Sequence, residues 1–219
     1  MNIITQQIIF SDEELTLTNQ RALFWEKHQA LIVSDLHLGK AAHFRKSGIA
    51  LPTQVTLQDL DRLAQLIQHF AAKLVIIVGD LIHAGANTEV ELLQGFIAKK
   101  ANTRFMLIKG NHDRFSKAQW QKIGIWDVYQ HWDVDHIYFI HHAPTILSKP
   151  TISGHLHPGI SIRMQTKKTI TLPCYVVGPQ QLILPAFSLF TGFRTHTLPT
   201  ETIRYAFYKD DIFSIKNLS

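Results

Sequence analysis

Residues 30–37 read Ala-Leu-Ile-Val-Ser-Asp-Leu-His, an apolar run that ends in a carboxylate and an imidazole. A run of this kind is typical of a β-strand that is buried on both faces. The same succession recurs at residues 74–78, followed by Gly79-Asp80, and at residues 104–108, followed by Lys109-Gly-Asn-His-Asp113. Open α/β sheets place their binding sites at the carboxyl ends of their strands. We therefore expect these polar residues to converge on one site.

Two further strand-like runs carry histidines at their ends. Residues 136–140 end at His141-His142, and residues 151–153 lead into Gly154-His155-Leu156-His157. The sequence thus predicts five strand-end loops that contribute to the same site.

The spacing of apolar residues between the strands predicts helices. One starts between Pro52 and Thr56 and runs to Phe70 or Ala71, a second spans about residues 88–100, and a short third lies near residues 116–122. After Pro158 the pattern changes to alternation, with two predicted antiparallel hairpins.

Both halves of the chain fit two β-sheets that pack face to face with helices outside. We therefore predict an α/β (α+β) fold, a four-layer αββα sandwich of two mixed β-sheets flanked by helices. No repeat, low-complexity segment or linker interrupts the sequence, so we expect a single domain over residues 1–219.

The composition limits the possible classes of protein. The chain carries a formal charge of +5, with 46% hydrophobic residues and one cysteine, Cys174, which excludes an internal disulfide framework. No apolar run is long enough to predict a membrane span, and the N-terminus does not read as a secretory signal. We expect a cytoplasmic protein with no membrane association. The positive charge fits either an ordinary surface or a polyanionic partner such as nucleic acid.

The strand-end residues supply carboxylates, imidazoles and one carboxamide, a set that suits two adjacent divalent metal ions. Two such ions clamp the attacking and leaving oxygens of a phosphoryl transfer. Asp35 and His37 lie at positions i and i+2, so their side chains would share one side if the chain is extended there. Asp80 is our candidate bridge between the metals. The pattern predicts a dinuclear metal-dependent phosphoesterase.

The stretch Gly110-Asn111-His112-Asp113 is the most specific of the five. Asn111 offers a neutral carbonyl oxygen to a metal, and His112 could protonate the leaving oxygen. Asp113 could hold His112 in the required tautomer.

One histidine of the pair His141-His142 is expected to be a ligand. Because His142 begins a His-Ala-Pro turn, we favour His142 and give His141 a supporting role. His155 and His157 could serve both metals from one turn.

The ordered set Asp-x-His, Gly-Asp, Gly-Asn-His-Asp, His and Gly-His-x-His resembles the calcineurin-like metallophosphoesterase superfamily. That resemblance implies a sandwich of two mixed sheets and two metal ions, most commonly manganese or iron and sometimes zinc. It also implies that His112 is the general acid. The implied ligands of the first metal are Asp35, His37, Asp80 and His157, and those of the second are Asp80, Asn111, His142 and His155.

A narrower resemblance covers nearly the whole chain. Asp35-Leu-His-Leu-Gly-Lys40, Gly154-His-Leu-His-Pro158 and Leu184-Pro-Ala-Phe187 are similar to the DNA-ligase-associated metallophosphoesterases of bacteria. This resemblance implies phosphodiester substrates, a DNA repair context and a functional association with a DNA ligase, a helicase and an exonuclease. It also implies that the protein can form a homodimer.

The sequence Gly79-Asp-Leu-Ile-His83 departs from the Gly-Asp-x-Val-Asp-Arg-Gly motif of protein serine/threonine phosphatases, which argues against that branch. Lys40 and Arg45 follow the first motif and could neutralise a phosphate oxygen of the substrate.

We therefore expect hydrolysis of phosphodiester bonds in nucleic acid, such as DNA or RNA ends, or in nucleotide-like substrates. The alternatives are a small-molecule phosphomonoesterase, a cyclic-nucleotide or cyclic-phosphate hydrolase, and a binding protein on an inactive fold. The last is disfavoured because no ligand of the set is missing.

Overall fold

The computed structural model describes residues 1–40, 54–83, 87–164, 167–195 and 201–216. Within these residues two mixed β-sheets pack against each other, which confirms the predicted sandwich.

The first sheet follows the order of the chain from one edge to the other. Its strands are β1 (Thr5–Phe10), β2 (Glu13–Thr18), β3 (Leu23–Trp25), β4 (Ala30–Val33), β5 (Leu74–Val78), β6 (Arg104–Ile108) and β7 (Asp127–Tyr129). The strands from β1 to β4 pair antiparallel, and those from β4 to β7 pair parallel. The carboxyl ends of β4, β5, β6 and β7 therefore lie at one edge.

The second sheet has the order β15-β14-β12-β13-β10-β9-β8, and β11 pairs with β12. Strand β10 is parallel to both β9 and β13, and the other pairs are antiparallel. The strands are β8 (His131–Val134), β9 (Ile137–Ile140), β10 (Thr151–Ser153), β11 (Gly159–Arg163), β12 (Thr169–Val177), β13 (Gln181–Ile183), β14 (Ile203–Tyr208) and β15 (Asp211–Lys216).

The described α-helices are α1 (Gln54–His69), α2 (Asn87–Ala98) and α3 (Lys117–Ile123), and a 3₁₀ turn spans Glu26–His28. Ser116 begins α3 with a capping box, because its hydroxyl accepts from the Gln119 amide while the Gln119 side chain accepts from the Ser116 amide. All three helices are close to the bounds that the sequence predicted.

The three helices share one face of the first sheet. Leu63 of α1, Leu93 of α2 and Trp120 of α3 belong to a single cluster with Val75 and Leu107 of the sheet. A second cluster fills the space between the two sheets. On the far face of the second sheet, the buried residues of the described chain come from strands and the segments that join them. Among the described helices, none is long and apolar enough to span a membrane.

Strands β7 and β8 were not predicted from the sequence, and neither were the antiparallel strands β1 to β3. Strands β1 to β3 extend the first sheet on the side of β4 away from β5. Their alternating pattern is visible in β2, where Leu15 and Leu17 are buried and Glu14 and Thr16 are not. This alternation is the sequence signal that could have predicted them.

Candidate metal centre

The motifs meet where the carboxyl ends of the parallel strands from both sheets come together. Asp35 follows β4 and Asp80 follows β5, whereas His141 follows β9 and His155 follows β10. The backbone amide of His155 donates to Asp35 Oδ2 at 3.0 Å, which joins the loops of the two sheets directly.

The first group of candidate ligands is Asp35, His37 and His157. His157 Nε2 lies 3.1 Å from Asp35 Oδ1, and His37 Nε2 lies 3.8 Å from the same oxygen. The two imidazole nitrogens are 3.2 Å apart. Three donor atoms therefore face a common point, which is the arrangement that one metal ion requires.

The second group is Asp80, His141 and His155. His141 Nε2 lies 3.4 Å from Asp80 Oδ2 and 3.2 Å from His155 Nδ1. The expectation that His155 and His157 serve different groups agrees with this geometry.

The two groups are adjacent. His141 Nδ1, in the second group, lies 4.0 Å from Asp35 Oδ1 in the first. Paired catalytic metals are typically about 3.5–4 Å apart. Two adjacent groups of carboxylate oxygens and imidazole nitrogens suit a pair of divalent ions of the borderline type, such as manganese, iron or zinc.

The backbone at these ligands is not extended, so the condition under which Asp35 and His37 would share one side of a strand is not met. Five candidate ligands have positive φ angles between 46° and 68°. For residues other than glycine this left-handed region costs of order 1–3 kcal/mol each and tends to mark functional sites. The turns, rather than the alternation of a strand, aim these side chains at the site. The five ligands with positive φ are Asp35, His37, Asp80, His155 and His157.

The structure brings His141, rather than the favoured His142, into the second group. Ile137, Phe139 and His141 are buried in alternation along and beyond β9, so His141 continues the inward face of the strand. His142 is exposed, and its ring stacks on that of His155 with a centroid distance of 4.4 Å. The His-x-Pro pattern was therefore a weaker guide than the two-residue period of the strand.

Gly79 and Gly110 leave room for this arrangement. Gly79 has a φ of +81°, and a Cβ atom built on it would lie 2.0 Å from His141 Nδ1. A Cβ atom on Gly110 would lie 2.2 Å from Asp80 Oδ1. A side chain at either position would displace a candidate ligand.

His112 lies at the rim of the site. Its amide donates to Asp80 Oδ1 at 3.0 Å, and its Nε2 atom lies 4.0 Å from Asp80 Oδ2. Its side chain keeps 36% of its surface exposed. Asn111, the preceding residue, is exposed and directly follows Gly110, which packs on Asp80.

Asp113 has a different position from the one we expected. Its Oδ1 accepts from the Ile82 amide at 3.1 Å and its Oδ2 accepts from the Gly110 amide at 2.9 Å, instead of from the ring of His112. Burial raises the pKa of Asp113 to about 6, although the two amide bonds lower it. Asp113 thus ties the Gly110–Asp113 turn to the loop after β5.

His83 is a residue near the site that sequence reasoning missed. Its ring centroid lies 4.4 Å from that of His112 and 5.5 Å from that of His37. Its backbone amide donates to Leu38 O at 2.9 Å, which brings it beside the Asp35–His37 loop. In the sequence, His83 only marks a departure from the motif of the protein phosphatases.

Neighbouring histidines keep the two buried carboxylates of the site ionised. Burial would raise the pKa of Asp35, but the neighbouring His157, His141 and His37 lower it below its usual value. Asp80 behaves in the same way through its contacts with His141 and the His112 amide. Both groups are carboxylates at neutral pH, as metal ligands must be.

Two of the histidines are held neutral. Burial lowers the pKa of His37 to about 3, and burial with the charge of His141 lowers that of His155. A neutral imidazole keeps the lone pair that binds a metal.

Lys40 stands at the end of the first motif, where its amide donates to His37 O at 3.1 Å. Burial lowers its pKa, and the charges of Asp35 and Asp80 oppose this shift. Arg45, the second predicted phosphate contact, lies outside the described residues.

One solved structure is similar to nearly the whole chain. Nuclease MPE from Pseudomonas putida aligns with 97% of this chain and 100% of its own, at 26% identity and a TM-score of 0.81. A weaker similarity is to AQ665, a protein of unknown function from Aquifex aeolicus, at 15% identity and a TM-score of 0.43, covering 58% of this chain and 78% of that one. Another is to Yfce, a phosphoesterase from E. coli, at 13% identity and a TM-score of 0.42, covering 85% of this chain and 97% of that one. No curated protein sequence gives a match.

The family model of the calcineurin-like phosphoesterases matches residues 28–174, a range that contains every candidate metal ligand. The match covers most of the chain and agrees with the sandwich fold and the paired ligand groups. This chain therefore belongs to the calcineurin-like phosphoesterase family and is a metal-dependent phosphoesterase.

Proposed function

We propose that this protein is a dinuclear metal-dependent phosphodiesterase that cleaves phosphodiester bonds of nucleic acid. The observation that carries the proposal is the pair of adjacent ligand groups, Asp35-His37-His157 and Asp80-His141-His155. The likeness to a nuclease over nearly the whole chain supports the choice of nucleic acid.

Each group would hold one divalent ion, with Asn111 as an additional oxygen ligand. Asp80 is the proposed bridge, because its Oδ2 faces His141 Nε2 in the second group and its backbone carbonyl accepts from the amide of His37, in the first group, at 2.8 Å. We propose His141 as the histidine ligand in place of His142. When bound, the two metals lower the pKa of water and neutralise developing charge on the phosphoryl oxygens.

His112 is the proposed general acid. It is the partly exposed imidazole beside Asp80, so it can reach a substrate oxygen and regain its proton from solvent. Transfer of a proton from this ring to the departing oxygen would avoid the release of an unstabilised alkoxide. Asp113 would act as a positioning residue, because it fixes the turn on which His112 stands.

The positive charge of the chain supports a polyanionic substrate. Lys40, and Arg45 outside the described residues, would contact its phosphates. Manganese is the metal we propose first, with iron or zinc as alternatives. We propose a cytoplasmic protein that forms a homodimer and works in DNA repair with a ligase, a helicase and an exonuclease, on the basis of the family resemblance.

The test combines metal analysis with a substrate panel. The purified protein should contain or take up two divalent ions per chain and hydrolyse oligonucleotides and small diesters faster than matched monoesters. A higher kcat/KM for monoesters would favour the alternative of a small-molecule phosphomonoesterase. A preference for cyclic nucleotides would favour the cyclic-phosphate hydrolase.

A further inference from the structure

A groove of about 350 Å³ lies beside the metal centre, outside the residues assigned to it. This volume lies within the range of small-ligand sites. The groove is lined by Lys109, Phe115, Lys117, Trp120, Trp126, Val128 and Tyr129.

Two of the lining aromatic side chains are exposed to solvent. Trp126 is 67% exposed and Tyr129 is 40% exposed. Exposed aromatic rings beside cationic side chains, here Lys109 and Lys117, are typical of surfaces that stack nucleobases and contact phosphates. The chemistry of the groove therefore suits an anionic ligand that carries a flat ring.

The groove adjoins the proposed site of cleavage. Lys109 directly precedes Gly110, which packs against Asp80, and the Lys109 amide donates to Tyr129 O at 2.8 Å. Strand β7, which ends at Tyr129, is parallel to β6, so the groove lies at the edge where the metal ligands lie. A nucleotide in the groove would be close to the scissile phosphate.

The electrostatic surroundings also favour an anion. The nearby carboxylate of Asp127 is paired with the Arg104 guanidinium at 2.7 Å and accepts from the Tyr129 hydroxyl at 3.3 Å. Among the described residues, Lys109 and Lys117 form no ion pair. Trp120, on the inner wall, has an indole N–H without a hydrogen-bond acceptor in the described part of the chain.

We propose that this groove binds an unpaired nucleobase of a single-stranded nucleic acid, next to the phosphodiester bond that is cleaved. The base stacks on Trp126 and Tyr129, and Lys109 and Lys117 contact the flanking phosphates. Since a base within a duplex is not free to stack on a side chain, the groove gives the enzyme a preference for unpaired strands. This inference rests on the proposed function.

The test is the effect of Trp126→Ala on kcat/KM for a short oligothymidylate. Loss of one stacking contact should reduce it roughly 5- to 150-fold, and Trp126→Phe should recover most of the loss. A series of oligonucleotides can carry one abasic residue at successive positions along the strand. At one position the missing base should lower kcat/KM of the wild type but should not lower kcat/KM of Trp126→Ala any further. Lys109→Gln and Lys117→Gln should each reduce the salt dependence of oligonucleotide binding by about one unit of slope.

Two controls separate the outcomes. Tyr208, the last residue of β14, lies away from the groove and has a ring that is 53% exposed and beside Lys209. Tyr208→Ala should therefore leave kcat/KM for the oligonucleotide unchanged. Methyl p-nitrophenyl phosphate reports the metal centre without a base.

If the wild type cleaves this small diester but no oligonucleotide, the proposed nucleic acid substrate is wrong, and the groove proposal is wrong with it. If oligonucleotides are cleaved equally well by Trp126→Ala, only the groove proposal is overturned. Conversion of a dimer to a monomer by Trp126→Ala, with unchanged oligonucleotide cleavage, would assign the groove to a second copy of the chain instead.

Discussion

The Nδ1 atom of His141 lies 3.1 Å from the carbonyl oxygen of Val78, at the end of strand β5. This contact ties a ring from the second sheet to the backbone of the first, and it leaves Nε2 to face Asp80. A hydrogen bond from the other ring nitrogen to a backbone carbonyl is the usual way in which a ligating histidine is oriented.

This orientation of the ring predicts that His141, and not His142, binds a metal. His141→Ala should lower the bound metal from two ions per chain to about one, because a ligand of the second group is lost. His142→Ala, the matched control, should retain two. Metal content measured by plasma mass spectrometry decides the assignment, and the reverse pattern would restore His142 as the ligand.

The position of His112 predicts a loss that depends on the leaving group. His112→Ala should reduce kcat by roughly 10²–10⁴-fold for a diester with an alcohol leaving group. The reduction should be smaller for p-nitrophenolate, which departs without a proton. Metal content should be unchanged. Equal losses for both leaving groups would remove His112 from proton transfer.

The two amide contacts of Asp113 predict a structural effect. Asp113→Asn replaces one acceptor oxygen with an N–H donor that faces a backbone N–H, so it should destabilise the fold by about 1–3 kcal/mol. Urea unfolding measures this change. A loss of activity without any change in unfolding free energy would instead indicate that Asp113 acts on His112 during catalysis.

Buried acidic ligands predict that metal stabilises the fold. Free metal at about 100 times its dissociation constant should add about 2.7 kcal/mol, or roughly 5–11 °C in melting temperature for a domain of this size. Scanning fluorimetry with EDTA and then with Mn²⁺ measures the shift. Asp80→Asn is the control and should reduce it; an equal shift in that variant would place the stabilising metal elsewhere.

Cys174 should be unreactive in the folded protein. It is fully buried, and burial raises the pKa of its thiol to about 12, which leaves almost no thiolate at neutral pH. A thiol reagent should therefore label no group in the native chain and one group per chain in denaturant, because Cys174 is the single cysteine of the sequence. Rapid labelling of the native protein would contradict this burial.

The sequence by itself determined the strands that carry the motifs, the main helices and the chemical nature of the site. A short apolar run that is rich in β-branched residues and followed by glycine, such as residues 74–78, is typical of a buried strand, and the residues that follow it, such as Asp80, then lie at the sheet edge. These are local constraints, so they can be recognised without knowing which strands are neighbours.

Only the tertiary structure decided how the side chains are paired. Three features depend on contacts between segments distant in sequence. They are the left-handed turns at Asp35 and His37, the orientation of the His141 ring by the Val78 carbonyl, and the approach of His83 to His112. The same is true of Asp113, whose oxygens are taken by the Ile82 and Gly110 amides. A motif specifies which donors are available, but the packing of two sheets fixes the direction in which each donor points.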